Sequence, residues 1–323
     1  MSYNDLRTPA DLLAACPALL KYVPTNSMVV YLVQRAPNGG IRVRDVVCFD
    51  ITITTSQAAN FPTICALRSD RYDAAILLAI CEQRHDIHAR HILDTVREAL
   101  QRNGVGVLRR IYARDVTTPG HWLDADTGDH GDTYPYTDSL HSARLVHSGT
   151  PIHRTRNDIA AAFEHLPPAP PVAVADHANL VLDTFDDITD ILLGGPHTDP
   201  TLATRAGIVI TGHPALRDAM IGLAIDQPLA AADLWTHIGR RLRGQPRAEA
   251  LTIAAASLCL QGNTVHATLA LQAAFAEAQA THTPDPDLAV ALDSKLTEGL
   301  GPTEIRAAIT AAFARRGDGP PQP

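Results

Sequence analysis

The sequence predicts an α+β protein: an N-terminal α/β layer domain with a mixed sheet, then a C-terminal all-α helical domain. Three observations carry that reading. Short, almost wholly apolar runs alternate with amphipathic segments over residues 1–165, the pattern of buried strands covered by helices. The first two strands are separated by Asn38-Gly39-Gly40, a hairpin signal, so the sheet cannot be all parallel. Beyond Pro167-Pro168-Ala169-Pro170-Pro171 nearly every segment is alanine-rich and helical in its spacing. The implied organisation is an α/β domain at 1–165, a stiff Pro-rich linker at 166–172, a helical domain at 173–316 and a disordered tail at 317–323.

The elements follow in order. Thr8 suits an N-cap, Pro9 the first helical position and Asp11 the third, so a helix starts there and carries Leu12, Leu13, Cys16, Leu19 and Leu20 on one face. Pro24 ends it, and 28–33 reads as a strand buried on both faces. Residues 41–49 alternate through Val43, Asp45, Val47 and Phe49 as its hairpin partner. A helix over 56–68 is interrupted near Pro62, 73–81 is a fully buried strand, and 87–103 is an amphipathic helix stopped by Asn103-Gly104. Residues 105–112 give another strand, 121–137 reads as a polar loop, and Thr155 caps a helix running to about His165. In the second half, helices are expected at 176–193, 202–225, 230–243, 247–260, 263–280, 287–299 and 303–315.

Composition excludes several functions. Of 323 residues, 46% are hydrophobic and 19% charged, enough for two domains of ordinary size. No apolar run reaches the roughly 18–20 residues that span a bilayer, and no basic segment with an apolar core is visible at the start, so a cytoplasmic protein off the membrane is expected. The net charge of −8 divides as −1 over 1–165 and −7 over 166–323. Phosphate binding needs clustered Lys and Arg, so no nucleic-acid partner is expected. Arg240, Arg241 and Arg243 read instead as a helix C-terminus answering its dipole. Cys16, Cys48, Cys65, Cys81 and Cys259 are odd in number, lack CxxC spacing and sit among apolar neighbours, as buried reduced thiols do.

Three stretches carry candidate chemistry. Arg84-His85-Asp86-Ile87-His88-Ala89-Arg90-His91 follows a buried strand and opens a helix; His85 and His88, at i and i+3, are the candidate metal ligands. His91 lies six residues from His85, about 240° around the helix, which opposes three-way convergence. The second runs from His121 to Asp132. Asp124 and Asp126 are candidate oxygen ligands for a divalent cation, although the same Asp/Gly pattern makes ordinary turns, with Trp122 as an anchor. The third is Asp183, Asp187 and Asp190 on one helix face, which also reads as a solvated surface. No GxxxxGK[ST], GxSxG or HExxH is present, and Gly104-Val105-Gly106 lies between helix and strand, the reverse of a phosphate cradle.

The opening from Thr8 to Val33, Leu145–Gly149 followed by Thr155–Ile159, and the alanine-rich helices at 254–280 and 287–301 resemble the bacterial family called domain of unknown function 4192. The family carries no assigned activity, so no functional residue is transferred and no cofactor is implied. The resemblance implies a cytosolic protein of high-GC Gram-positive bacteria, in keeping with Lys21 and Lys295 being the only lysines among 27 basic residues. Locally, 258–284 is similar to one tetratricopeptide helical hairpin turned at Gly262-Asn263, but no second or third repeat accompanies it, which leaves an ordinary helix pair. The expected function is therefore a non-catalytic binding or regulatory module whose helical half meets a protein partner or a second copy. The alternative is a metal-assisted hydrolase built on His85, His88, Asp124 and Asp126.

Overall fold

The computed structural model describes residues 6, 8–35, 41–65, 67, 69–298, 300 and 302–317. The 38–40 turn signal and the tail from 318 onward lie outside the described residues. The chain forms two compact units, Met1–Asp158 and Ile159–Pro323.

In the first unit, α1 (Pro9–Leu20) starts with the reciprocal cap its sequence specifies: the Asp11 amide donates to Thr8 Oγ1 at 3.1 Å, and the Thr8 amide to Asp11 Oδ2 at 2.9 Å. Strands β1 (Ser27–Arg35) and β2 (Ile41–Asp50) form the antiparallel hairpin. Short helices α2 (Thr55–Ala59) and α3 (Phe61–Ile64) break at Asn60, with Pro62 inside the first turn of the second. Strand β3 (Ala74–Ile80) leads through a 3-10 turn into α4 (Asp86–Arg102), which crosses to the parallel strand β4 (Gly106–Ala113). The sheet order is β2-β1-β3-β4, continued by β5 (Gly120–Asp124) and β6 (His130–Thr133). Helices α5 (Leu140–His147) and α6 (Arg156–Ala161) follow.

The central strands are apolar because both faces are covered. Met28, Val30, Leu32, Leu77 and Ala79 pack with Ile92, Leu93, Val96 and Leu100 of α4 in one buried cluster. On the β1 positions between them, the Tyr31 hydroxyl donates to Leu12 O at 2.8 Å and lies 2.9 Å from Cys16 Sγ, fastening α1 to the strand. The region read as a polar loop over 121–137 instead adds the edge hairpin β5–β6. Its strands are short and mostly half-buried or exposed, so no apolar alternation marks them, and their pairing is set by a turn rather than by burial. Trp122 lies across Gly131, where a Cβ would sit 2.9 Å from the indole nitrogen, so the strand opposite needs glycine.

The second unit is all helical among the described residues: α7 (His177–Leu192), α8 (Leu202–Gly212), α9 (Pro214–Ala224), α10 (Pro228–Arg241), α11 (Gly244–Gln261), α12 (Thr264–Ala280), α13 (Asp287–Thr297) and α14 (Pro302–Gly317). The single helix expected over 202–225 is two. Pro214 cannot continue the α8 ladder, and extended His213 caps α9 by accepting the Ala215 amide on Nδ1 at 3.1 Å. Helix α11 is the axis of the unit, packed by α10 and α12 and buried without interruption from Arg247 to Leu260. Small residues permit the close approach; a Cβ on Gly239 of α10 would lie 2.8 Å from Leu251 Cδ2. Gly262 turns the chain at φ 81°, and Asn263 caps α12.

Between Arg247 and Leu260 each polar side chain of α11 meets a partner, whereas Gln261 Nε2 at its end is buried with none among the described residues. Thr252 and Ser257 return their hydroxyls to Ala248 O and Ile253 O, four residues back. Glu249 faces Arg217 of α9 at 3.3 Å. Arg247 lies 3.1 Å from Glu277 of α12 and donates to Gly239 O at 2.8 Å and Phe163 O at 2.7 Å. The arginines expected to answer the α10 dipole do so in part: Arg243 donates to Arg240 O and Leu242 O. Arg240 and Arg243 also donate to Glu164 O and Leu166 O. Together with Leu166 N to Arg240 O at 2.8 Å, Ala169 N to Arg241 O at 3.1 Å and Thr204 Oγ1 to Pro170 O at 2.7 Å, they hold residues 163–170 along the helical unit as a strap.

Arg247→Leu removes the cation from a buried carboxylate and is expected to cost about 3–5 kcal/mol, whereas adding Glu277→Leu restores much of that loss. Urea unfolding of both variants, followed by helical circular dichroism, checks the sign of the difference.

Candidate functional site

The sequence candidates in the first unit fall at two places. His85 precedes α4, half-buried and without a capping bond. His88, one turn into the helix, places Nε2 3.1 Å from Ile53 O. A carbonyl only accepts, so Nε2 is the donor. His91 Nε2 lies 2.9 Å from Thr55 Oγ1. At this end of the sheet, Arg114 holds Asp86 with both guanidinium nitrogens, one bond being 2.6 Å, and also reaches Cys81 O. The hydrogen bonds from Arg114 pull the Asp86 carboxyl below its ordinary range. This ion pair occupies the strand ends where open α/β sheets commonly take ligands.

Asp124 and Asp126 form the β5–β6 turn. Asp124, 1% exposed, accepts the amides of Asp126 at 2.9 Å and Thr127 at 3.4 Å, with Arg109 3.7 Å away. That is an Asx turn, completed by Gly128 at φ 76°. Asp126 takes Arg110 on Nε at 3.0 Å and Nη2 at 2.6 Å, and Arg97 of α4 at 3.1 Å. Arg110 is itself buried and also bonded to Asp94. These hydrogen bonds lower the Asp126 carboxyl and raise Arg110. Nearby, the Tyr112 hydroxyl is buried with no hydrogen-bond partner among the described residues, and Arg90 lies over its ring at 5.6 Å.

The helix keeps the two pairs apart. Asp126 is level with Arg97, nine residues beyond His88, an axial offset of about 13 Å. Even with the reach of an arginine side chain, that exceeds what ligands at roughly 2–2.6 Å from one shared ion allow. Among the described residues no group of three or more His, Cys, Asp and Glu is placed to hold a metal ion. The thiols are free: burial pushes Cys16 and Cys259 up to about 12 and Cys65 up to about 11, leaving them protonated at neutral pH.

A different place collects polar groups in the helical unit. A cavity of about 310 Å³ lies between the strap, α10, α11 and α12, walled by Phe163, Ala232 and Leu258 and by Asp233, Thr236, His237, Arg240 and His266. Burial pushes the Asp233 carboxyl up, while burial and the neighbouring His197 pull the His237 imidazole down. The rings of His237 and His197 stand edge to face at 5.1 Å. Perturbed groups gathered in a cavity mark candidate sites. The i, i+3, i+4, i+7 spacing of Asp233, Thr236, His237 and Arg240 was legible in the sequence, but the strap that walls it was not. In the third candidate stretch, Asp187 pairs with Arg205, whereas Asp183, Asp186 and Asp190 form no ion pair among the described residues.

Residues 9–200 and 170–303 match the family described as domain of unknown function (DUF4192). The chain belongs to that family. No curated relative and no solved structure matches it. The two matched stretches overlap at 170–200, across the end of the strap and all of α7. Among the described residues, no helix of this DUF4192 protein is long and apolar enough to cross a membrane.

A carboxyl held below its ordinary value stabilises the fold above that value and ceases to as pH falls through its own lower pKa. Asp86 and Asp126 place this window below about pH 4. Melting temperatures taken downward from neutral pH are expected to fall there, and Arg110→Gln, which leaves Asp126 only Arg97, is expected to make the acid limb shallower.

Proposed function

We propose that this DUF4192 protein is a non-catalytic binding or regulatory module of the cytosol, in an actinobacterial-type cell, whose helical unit meets a protein partner or a second copy. One observation carries the reading. Leu182 of α7 and Leu193, the residue that caps its C-terminus, are 62% and 75% exposed and lie eleven residues apart, about three helical turns. Asp186 and Asp190 lie between them, exposed. The stripe is apolar at both ends and acidic in the middle, which suits a partner surface with a basic residue between two apolar ones. Its sign agrees with the −7 carried by residues 166–323. The internal bonds of Asp124, Asp126 and His88 support the same reading, because groups that hold turns and helices are not poised to turn over substrate.

Native mass spectrometry of untagged protein from its own host tests this. A stoichiometric protein partner, or a dimer, is expected with the wild type and is expected to fall at least about tenfold in the Leu182→Asp/Leu193→Asp variant while its circular dichroism is unchanged. A bare wild-type chain overturns the reading, and a co-purifying divalent cation lost in His88→Ala or Asp126→Ala favours the hydrolase.

A further inference from the structure

We propose that the cavity beside α10 binds a small zwitterion of amino-acid or dipeptide size, its ammonium on Asp233, its carboxylate on Arg240 and its apolar side chain against Phe163 and Leu258. This site is separate from the α7 stripe and does not rest on it.

The argument begins with the face of α10. Six of its positions are core: Ala231, Ala232, Leu234, Trp235, Ile238 and Gly239 are buried. Asp233, exposed, and Thr236, His237 and Arg240, half-buried, form a polar stripe along one side of an open groove. Asp233, at the mouth, makes no hydrogen bond or ion pair among the described residues. Arg240 spends Nε on Glu164 O at 3.0 Å, and its two terminal nitrogens make no hydrogen bond among the described residues. The strap thus fixes the guanidinium before any ligand arrives, which lowers the ordering cost of binding.

Charge and size select the class. Asp233 and Arg240 lie seven residues apart, about 10.5 Å along the axis, and the bond to Glu164 keeps them from closing on each other. A simple anion placed between them meets Asp233, and a simple cation meets Arg240. A molecule bearing both charges answers both and replaces the solvent each loses. The volume of about 310 Å³ is at the lower end of the roughly 300–1,000 Å³ of ligand sites, which limits the occupant to the size named. Phe163 and Leu258, both buried, supply an apolar wall for the side chain.

Isothermal titration calorimetry of the full chain tests the site with L-leucine and L-alanyl-L-leucine, which separate a free amino acid from a dipeptide. N-Acetyl-L-leucine lacks the ammonium, and 3-methylbutylamine lacks the carboxylate. Saturable binding of one zwitterion is expected, with each single-charge analogue at least about tenfold weaker and Asp233→Asn weakening the zwitterion by about tenfold, as loss of a charge-assisted hydrogen bond does. Asp233 is exposed on its helix, so this variant is expected to melt with the wild type; the analogue series reads the same contacts without any variant. No binding of either zwitterion up to about 10 mM, a single-charge analogue that binds equally well, or an Asp233→Asn protein of unchanged affinity overturns the proposal.

Discussion

The helical unit is organised by the burial of α11 on every side. A helix sealed from Arg247 to Leu260 cannot satisfy a polar side chain with water, so each one it carries dictates a neighbour. Thr252 and Ser257 solve this within the helix. Glu249 requires Arg217, which sets α9 against α11. Arg247 requires most: a carboxylate from α12, a carbonyl from α10 and another from the strap. Glu277 in turn accepts the first amide of α11 from Gly244 at 2.6 Å and lies 3.0 Å from His165 Nε2. Breaking this cluster does more than remove one pair, because its members place three helices and the strap at once.

The α/β unit meets a similar demand through its sheet. Strands β1 and β3 are covered on both faces, so their backbone polar groups are met by neighbouring strands and their side chains are almost all apolar. Tyr31 is the largest exception. Its hydroxyl is tolerated because it donates to Leu12 O and lies against Cys16 Sγ of α1, which makes a buried polar group into the fastening between helix and sheet. The exposed hairpin β5–β6 works by the opposite rule. It has little apolar area to set its register, and a turn built from Asp124 and Gly128, tied to Arg110, sets it instead.

Local chemistry explains what could be read from the chain. The Thr8 cap, the Asn103-Gly104 stop and the apolar runs of β1 and β3 are decided by nearby residues, so the sequence specifies them directly. The strands of β5–β6 were hidden because an exposed edge hairpin lacks the apolar alternation that identifies strands. The candidate ligands Asp124, Asp126, His85 and His88 stand out because Asp-x-Asp-x-Gly and a polar helix start have the residue types of a metal site. Turns and helix starts use those same types, and the outcome depends on arginines distant in sequence: Arg97, Arg110 and Arg114. The Pro-rich segment showed its stiffness but not where it lies, since hydrogen bonds to Arg240, Arg243 and Thr204 span dozens of residues.

The two units use their charges differently, and this bears on where ligands and partners go. In the α/β unit the notable carboxylates are answered in place: Asp86 by Arg114, Asp94 and Asp126 by Arg110, Asp45 by the Tyr72 hydroxyl at 2.7 Å. Such groups stabilise the fold and have little charge left for anything else. In the helical unit the arginines are drawn inward, to Glu277, Glu249, Asp187 and the strap carbonyls. That leaves Asp183, Asp186, Asp190 and Asp233 without cations among the described residues. Unanswered carboxylates raise the local negative potential, which favours the approach of cationic groups over anionic ones. The same withdrawal of arginine that builds the core therefore leaves α7 and the mouth of the α10 cavity able to attract positive charge.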